Sequence, residues 1–404
     1  MSRVFIFTKF MKEKIKKLAD DFLPVARIIR RHLHAHPELS MQEKNTSELL
    51  QKKLTDLKIP FRAGIAKYGI EAIIKGKNDN GKVVALRADM DALPIFEKNT
   101  VDYCSKNEGV MHACGHDVHM TGVLGAAWIL MQLKNEFDGT VKLIFQPSEE
   151  KNPGGASLMI KENILENPKP DSIFAQHVFP ELKAGEVGFF AGKYMASADE
   201  IYITVRGKGG HAALPHLNIN PLFMAGKLLS AYHDFIKNIL EPNEVKTVLS
   251  FGNIIGNGAT NVVPDEVKIA GTFRAMDDAW RFAVHEKIKT IAETVAKDFG
   301  GSIDVLIDVG YPCLENDVAL TNQSKKFAEE YLGKENVKEL KQRMSSEDFA
   351  FYSQIIPSCF YRLGTNSPDG KFSSSVHTPT FDIDEEALRT ASGLMAYLAV
   401  KQLA

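Results

Sequence analysis

Residues 109–133, GVMHACGHDVHMTGVLGAAWILMQL, join a loop rich in metal-binding side chains to a run that is apolar nearly all round. Cys114 and His116 are two residues apart, a spacing that faces one direction on an extended backbone but opposite sides of a helix. It predicts a loop in which Gly115 permits a tight turn. The apolar run is long enough for a buried helix, which places Asp117 at its N-cap or in its first turn.

Cys114 would then lie beside a helix N-terminus, a position that favours the thiolate, the form that binds metal. The alternative for this stretch is a free core cysteine with unrelated histidines, because buried thiols are common. The two interpretations are equally good for the segment by itself, so the rest of the chain has to distinguish them.

The composition excludes several classes of protein. With 404 residues the chain has room for roughly two or three domains, and 44% hydrophobic with 25% charged residues is ordinary for a globular protein. A net charge of -2 without a long basic run excludes nucleic acid and an anionic membrane surface as partners. No apolar run reaches membrane-spanning length.

The cysteines and the first residues bear on location. Four scattered cysteines are too few for a disulfide framework, so a reducing, cytoplasmic environment is expected. Residues 1–10, MSRVFIFTKF, lack a small-residue cleavage site and are interrupted by polar residues. We expect a frayed extension rather than a signal peptide, with translation able to begin at Met11.

The first half of the chain has the pattern of an α/β sheet domain. Residues 11–36 predict a helix interrupted near Pro24, and a second helix starts at Asn45. GIEAIIKG and KVVALRAD flank the turn NDNG and are expected to be adjacent strands. VKLIFQP and SIFAQHV are continuous apolar runs separated by a helical GGASLMIKENIL, which is typical of strands buried on both faces.

Residues 196–309 have a different order of predicted strands and helices. The order strand, helix, strand, strand, helix, strand is that of the ferredoxin-like split βαβ unit. The earlier pattern resumes afterwards with the strand SCFYRLG and a final helix from Glu385. We therefore predict a catalytic domain in two parts, residues 11–195 and 310–404, with the ferredoxin-like βαββαβ module inserted between them.

Polar groups follow three of the buried strands of the sheet domain. Because open α/β sheets bind ligands beyond the carboxyl ends of their strands, these groups should share a rim with the HACGHD loop. The residues concerned are Asp89, Asp91, Glu149, Glu150 and His177, and SSVHTPTFD adds His377.

The adjacent carboxylates of Glu149 and Glu150 would point to opposite sides of an extended segment, so that one could bind a metal while the other faces water. A solvated acidic pair is the alternative, as hydrogen-bonded core histidines are for His177 and His377. Together with Cys114 and His116, however, the set offers enough ligands for two metal ions and does not suit a closed single zinc site.

Several motifs together make the sequence resemble a known family. They are RADMDALP, GVMHACGHDVHM, QPSEE with GGA, GKGGHAALPH, NVVPD, GTFR, SSEDFAFY and HTPTFD. The chain resembles the amidohydrolase branch of the dinuclear metallo-aminoacylase and carboxypeptidase superfamily, which includes hippurate hydrolases, N-acyl-amino-acid amidohydrolases and auxin-conjugate hydrolases. The resemblance extends from RRHLHAHPELSMQE to HTPTFDIDEEAL, and implies a mixed-sheet α/β/α metallopeptidase-like catalytic domain.

The resemblance also implies roles for individual residues. Two divalent ions, zinc, manganese, cobalt or nickel, would be held by Cys114, His116, Glu150, His177 and His377, with Glu149 as the general base. Cys114 takes the place of a metal-bridging aspartate, and Asp89 stands where the wider superfamily has a ligand histidine, so Asp89 and Asp91 are expected to support the ligands. His112 and His119 receive no role.

The inserted module would carry the substrate-recognition groups. The resemblance implies His211 for the developing oxyanion, with Asn261 and Arg274 for a free α-carboxylate; without it, each would be an ordinary turn or strand residue. The implied reaction cleaves the amide of an N-acyl amino acid, and a homodimer through the inserted module is expected, in which His211 completes the neighbour's site.

Three alternatives stay open at this stage. A dipeptidase or aminopeptidase of the same superfamily is the nearest. A thiol hydrolase would use Cys114 with a neighbouring histidine. An inactive metal-binding scaffold is disfavoured by the presence of Glu149 beside the full ligand set.

Overall fold

A computed structural model describes residues 3–404, with side chains from residue 10 onward. The helices are α1 (Arg3–Ala35), α2 (Lys44–Asp56), α3 (His116–Gln132), α4 (Gly155–Lys161), α5 (Pro221–Phe235), α6 (Asp278–Phe299), α7 (Val318–Leu332), α8 (Ala350–Ser353) and α9 (Ala387–Leu403). Short 3-10 turns span Pro215–Leu217 and Lys334–Asn336, and a π-helical turn spans Ile236–Leu240.

The strands before the ferredoxin-like module are β1 (Phe61–Ile65), β2 (Gly69–Lys75), β3 (Val83–Asp89), β4 (Thr140–Gln146), β5 (Ser172–Lys183), β6 (Val187–Phe189) and β7 (Gly192–Met195). Those that follow are β8 (Asp199–Arg206), β9 (Gly210–His211), β10 (Thr247–Ile255), β11 (Val262–Val263), β12 (Glu266–Ala275), β13 (Ser302–Val309), β14 (Leu314–Asn316), β15 (Val337–Glu339) and β16 (Ser358–Asn366).

The chain divides into two compact units. The first comprises Met1–Gly192, Glu315–Lys341 and Phe351–Ala404, and the second comprises Lys193–Leu314 and Gln342–Ala350. The domain boundaries at residues 195 and 309 stay a prediction. None of the helices within residues 3–404 has the length and apolarity needed to cross a membrane.

A mixed sheet forms the centre of the first unit, as predicted. Its order is β1-β2-β4-β3-β5-β16-β6-β15, with parallel pairing from β4 through β16 and antiparallel pairs on either side of that block. Every residue of β4 and residues 172–180 of β5 are buried, which matches the expectation for strands covered on both faces, and β3 is fully buried as well. The helices α1, α3 and α9 pack against one another, and α3 and α9 also contact β3.

Two local predictions about this unit are wrong. β2 and β3 are not neighbours, because β4 lies between them, antiparallel to β2 and parallel to β3. The connection of residues 76–82 is long enough to pass a strand whose neighbours lie about 4.8 Å away. The first helix is also continuous through Pro24, since buried Phe22, Leu23 and Ala26 hold the turns around it in the core.

The expectation of a frayed extension at residues 1–10 is wrong for the residues described there. The backbone is already helical from Arg3, so the segment is not frayed from there on. Met1 and Ser2 lie outside the described residues.

The second unit contains a four-stranded antiparallel sheet of order β10-β12-β8-β13. With α5 between β8 and β10 and α6 between β12 and β13, this is the ferredoxin-like connection predicted from the sequence. β8 alternates between buried and exposed residues, so one face of the sheet packs against α5 and α6.

Candidate metal centre

The site lies where the parallel strands of the first unit end. β3 ends at Asp89, its neighbour β5 carries His177, and α3 begins at His116. Gly115 precedes α3 with φ of 78°, and a Cβ there would stand 2.6 Å from a Val178 methyl group. Glycine is therefore required for both reasons, and the predicted turn at this residue is confirmed.

The structure brings together all five side chains predicted as ligands. The Cys114 Sγ atom lies 3.3 Å from the Nε2 atom of His177 and 3.3 Å from the Nε2 atom of His377. His377 Nε2 is also 3.3 Å from Glu150 Oε1. The ligand atoms form two groups that share the thiol, Cys114 with His116 and His177, and Cys114 with Glu150 and His377.

Unpartnered buried atoms show that these residues fit a cation. Both ring nitrogens of His116 and the Oε1 atom of Glu150 are buried without a hydrogen bond. His116 Nε2 lies 3.7 Å from Asp89 and 3.9 Å from Glu150, and its Nδ1 atom lies 3.3 Å from Asp91. Buried polar atoms in proteins are nearly always paired, so a set of them converging with a thiol is the donor arrangement of a transition-metal site.

Electrostatics leads to the same conclusion. Burial opposes the charged imidazolium, yet the carboxylates of Asp89 and Asp91 outweigh it and raise the pKa of His116 to about 10. Burial, and after it the charge of Glu150, hold the pKa of the Cys114 thiol well above its usual range. The potential in the site is therefore negative enough to favour binding a cation.

This finding corrects the expectation that the start of α3 favours the Cys114 thiolate. The thiol does lie just before the helix, and Asp117 is in the first turn as predicted. Burial and the neighbouring carboxylates nevertheless outweigh the helix terminus, whose effect amounts to about 0.5 elementary charge. A bound cation would have to supply the stabilisation of the thiolate.

His119, to which the sequence assigned no role, orients groups around the ligands. Its Nδ1 atom lies 2.6 Å from Asp89 Oδ1, and its Nε2 atom accepts a hydrogen bond of 2.9 Å from the Val178 amide. The ring must therefore donate through Nδ1, which identifies the tautomer. Arg87 donates to the other oxygen of Asp89, so this carboxylate is held from both sides.

His112 is the other histidine without a predicted role. It is buried, and neither ring nitrogen makes a hydrogen bond. Burial lowers its pKa to about 4, even though Asp117 acts in the opposite direction. His112 is therefore a neutral core side chain next to the ligand loop.

A buried charge network that the sequence did not reveal supports two of the ligand segments. Arg30 of α1 donates to Asp117, the residue after His116, at 2.8 Å and to Asp382 at 2.7 Å. His34 also lies 2.8 Å from Asp117. The network joins the first turn of α3 to the loop that follows His377, and only folding brings its members together.

The three predicted substrate residues all lie in the second unit. His211 and Asn261 are exposed and adjacent, since β9 pairs with β11 and the Ala212 amide donates to the Asn261 carbonyl at 3.0 Å. Arg274 is half-buried on β12, and burial lowers its pKa. Their roles towards a substrate stay a prediction.

Comparisons with known proteins show the family to which the chain belongs. A model described as peptidase family M20/M25/M40 matches residues 85–401. The N-acetylcysteine deacetylase of Bacillus subtilis is 37% identical over 373 residues, which cover 92% of this chain and 95% of that protein. The N-acyl-L-amino acid amidohydrolase of Geobacillus stearothermophilus is 37% identical over 300 residues, covering 74% and 80%.

A solved structure extends the similarity to three dimensions. It is a Bacillus subtilis protein described as a dinuclear metal-binding peptidase from the M20 family. The two structures superpose with a TM-score of 0.81 at 33% identity, over 95% of this chain and 99% of that one.

Proposed function

This chain belongs to peptidase family M20/M25/M40, and from that premise we propose that it is a metal-dependent amidohydrolase acting on N-acyl amino acids. The products would be a carboxylic acid and a free amino acid. The observation that carries the proposal is the pair of ligand groups that share Cys114, with Glu149 in a further group beside His116 and Glu150. The deacetylase and amidohydrolase activities named for the relatives support the substrate class.

The five predicted ligands would hold two divalent ions, which supply Lewis acidity that acidifies water and polarises a carbonyl oxygen. Glu149 takes a proton from the attacking water as the new carbon–oxygen bond forms. It then delivers this proton to the leaving nitrogen as the carbon–nitrogen bond breaks, so the carboxylate returns to its starting state. Zinc suits the thiolate and imidazoles, with manganese, cobalt and nickel as competitors.

The second unit would supply substrate recognition. In this proposal His211 donates a hydrogen bond to the carbonyl oxygen as negative charge develops there, a contribution of roughly 3 to 4 kcal/mol for one such donor. Asn261 and Arg274 bind the free α-carboxylate of the amino acid. The partial burial of Arg274 supports this, because burial strengthens its attraction for an anion.

An assay for released amino acid over a panel of N-acyl amino acids, with each of the four metals added, tests the proposal. Acetyl, benzoyl, fatty-acyl and indole-acetyl conjugates sample the acyl group, and matched amides without a free carboxylate sample the other end. We expect hydrolysis only with the free carboxylate. Faster hydrolysis of dipeptides would instead support the alternative, a dipeptidase or aminopeptidase.

The thiol-hydrolase alternative requires a separate experiment. If Cys114 bound metal rather than attacking the substrate, mild alkylation of the metal-loaded protein would leave its activity unchanged. Loss of activity on alkylation, with the metal content retained, would favour the thiol mechanism.

The four cysteines are free, which suits the proposed cytoplasmic location.

We also propose a homodimer formed through the second unit. The four-stranded sheet ends at β10 and β13, and Phe223 and Ile254 are exposed apolar residues of the same unit. The exposed His211 would complete the partner's site.

Mixing an inactive Glu149→Gln protein with an inactive His211→Ala protein should restore activity, since one site in each mixed dimer holds both native residues. Proven subunit exchange without such restoration contradicts the proposal.

A further inference from the structure

The segment that carries the proposed base, Glu149, is held through three of its own consecutive backbone amides. The amide of Ser148 donates to the Oε1 atom of Glu43 at 2.8 Å. The amides of Glu149 and Glu150 donate to the two oxygens of Asp91, each at 3.0 Å. Two buried carboxylates therefore bind three successive residues of the 148–150 turn.

The two carboxylates come from segments that are themselves joined. Ser40 donates its hydroxyl to Asp91 at 2.6 Å, and the Ala92 amide donates to the Glu38 carbonyl at 2.8 Å. Glu43 immediately precedes α2 and is fully buried. The 148–150 turn is thus held in place by contacts with the α2 terminus as well as with the residues that follow β3.

The backbone of the turn needs such support. Ser148 has φ of 55°, in the left-handed region that a residue with a Cβ rarely adopts. Its carbonyl accepts a hydrogen bond of 2.8 Å from the Gly155 amide, so both of its backbone polar groups are bound. Residues kept in this region persist only when the surrounding contacts determine them, and they occur frequently at functional sites.

Glu43 is also a costly residue to bury. Its Oε2 atom is buried without a hydrogen bond, and burial, followed by repulsion from Asp91, raises its pKa to about 7. An unpartnered oxygen beside a like charge lowers the stability of the folded chain. The contact that it does make, to Ser148, is therefore the feature to explain.

We propose that Glu43 is a positioning residue for the hydrolytic reaction, which orients Glu149 by binding the Ser148 amide while Asp91 binds the next two amides. The inference rests on the proposed function, because it assumes that Glu149 transfers the proton. A misplaced general base reduces turnover more than substrate binding, since the base must lie within hydrogen-bonding distance of the water it activates.

Three variants at this position separate acceptor, charge and length. Glu43→Gln keeps an oxygen acceptor of the same reach, Glu43→Asp keeps the charge but shortens the side chain, and Glu43→Leu removes the acceptor. Glu38→Leu is the matched control, because Glu38 accepts from the Asn45 and Thr46 amides at the same α2 terminus. It makes no hydrogen bond to the 148–150 turn among the contacts of the described chain.

Each variant is compared at equal metal content for kcat, KM and melting temperature. Amide hydrogen exchange of a peptide spanning residues 146–152 gives a readout independent of turnover. We expect Glu43→Leu and Glu43→Asp to lose at least tenfold in kcat with KM within threefold, and to exchange faster. Glu43→Gln should stay within threefold of the wild type on every measure, whereas Glu38→Leu should lower only the melting temperature.

Two outcomes overturn the positioning role. One is a Glu43→Asp protein with more than a third of wild-type kcat and unchanged exchange, a test that holds even if Glu43→Leu does not fold. The other is a fall in kcat that follows melting temperature equally in the Glu38 and Glu43 variants. If the wild type instead hydrolyses no N-acyl amino acid, the proposed function fails, and exchange of the 148–150 amides alone decides whether Glu43 holds the turn.

Discussion

Two buried clusters of charged residues, one in each unit, differ in whether the atoms beside their carboxylates already have protein partners. In the second unit, Asp199 accepts hydrogen bonds from Arg281, from His285 at 2.8 Å and from the Gly310 amide at 3.1 Å. Burial alone would raise the pKa of Asp199, but Arg281 and His285 more than compensate and lower it. Protein groups therefore pair with both oxygens of this carboxylate.

In the first unit the Asp89 carboxylate is paired too, with Arg87 and His119: burial would raise its pKa, but His116, His119 and Arg87 lower it. The difference lies in the atoms beside it. Asp89, Asp91 and Glu150 surround His116, which keeps both ring nitrogens without a hydrogen bond and has a raised pKa. Burial, and after it the charges of Glu150, Glu149 and Asp89, raise the pKa of Cys114. Burial and charge therefore do not by themselves distinguish a structural cluster from a binding site. The distinguishing feature is whether the ligand-type atoms already have protein partners.

Removal of metal should separate the two clusters most strongly. A chelator is expected to abolish hydrolysis and lower the melting temperature, because ligands bound only by the folded state stabilise it by about 2.7 kcal/mol at a hundred times Kd. Restored protein should contain two ions per chain by elemental analysis. A plateau at one ion, with no change in activity on adding a second equivalent, would contradict the two-ion proposal.

The next largest effect is expected from Glu149→Gln. The amide preserves the shape of the side chain but cannot take a proton, so kcat should fall by about 100- to 10,000-fold with metal content and fold retained. Glu150→Gln is the matched control and should lose metal instead. Retention of more than a tenth of wild-type kcat, a loss below about 1.4 kcal/mol, would exclude Glu149 as the base.

Asp199→Asn tests the cluster in the second unit. It removes the buried carboxylate that pairs with Arg281, which keeps only the partly exposed Asp278 as an ion partner at 3.0 Å, so the free energy of unfolding should fall by about 3 kcal/mol, measured by denaturant titration. Metal content should not change. In the double variant Asp199→Asn with Arg281→Met, much of the stability should return, because the buried guanidinium is removed together with its buried carboxylate. A loss below about 1 kcal/mol in the single variant would show that the pair is not a structural element.

The smallest expected effect concerns acid stability. The folded-state pKa of Asp199 lies below its ordinary value of 3.8, so its contribution is present above that pH and is lost as pH falls through the folded-state pKa. With metal removed from both proteins, the wild type should therefore lose free energy of unfolding below about pH 4 more steeply than Asp199→Asn. Parallel pH profiles would contradict the assignment of this contribution to Asp199.

Local sequence patterns determined much of the site and of the fold. The continuous apolar runs of β4 and β5 predicted strands buried on both faces, and Gly115 predicted the turn before α3. Both follow from short-range rules, the alternation of side chains along a strand and the conformational freedom of glycine. The rule that open α/β sheets bind ligands beyond the carboxyl ends of their strands put Glu150 and His177 on the rim of the sheet.

Features that depend on the whole fold were not predicted by these local rules. The place of β4 between β2 and β3, the continuity of α1 through Pro24 and the raised pKa of Cys114 all differ from what the sequence indicated. Strand order depends on which surfaces the whole domain buries, and a pKa depends on every nearby charge, whichever part of the chain supplies it.

The sequence by itself thus determined which residue types would line the candidate site, because ligand chemistry and local backbone geometry are properties of short segments. Only the tertiary structure decided their partners. Glu43 meets Ser148 across 105 positions of the chain, and Arg30 meets Asp117 across 87. No periodicity in either segment predicts such a contact. It forms only when α1 and the start of α2 pack against the rest of the first unit.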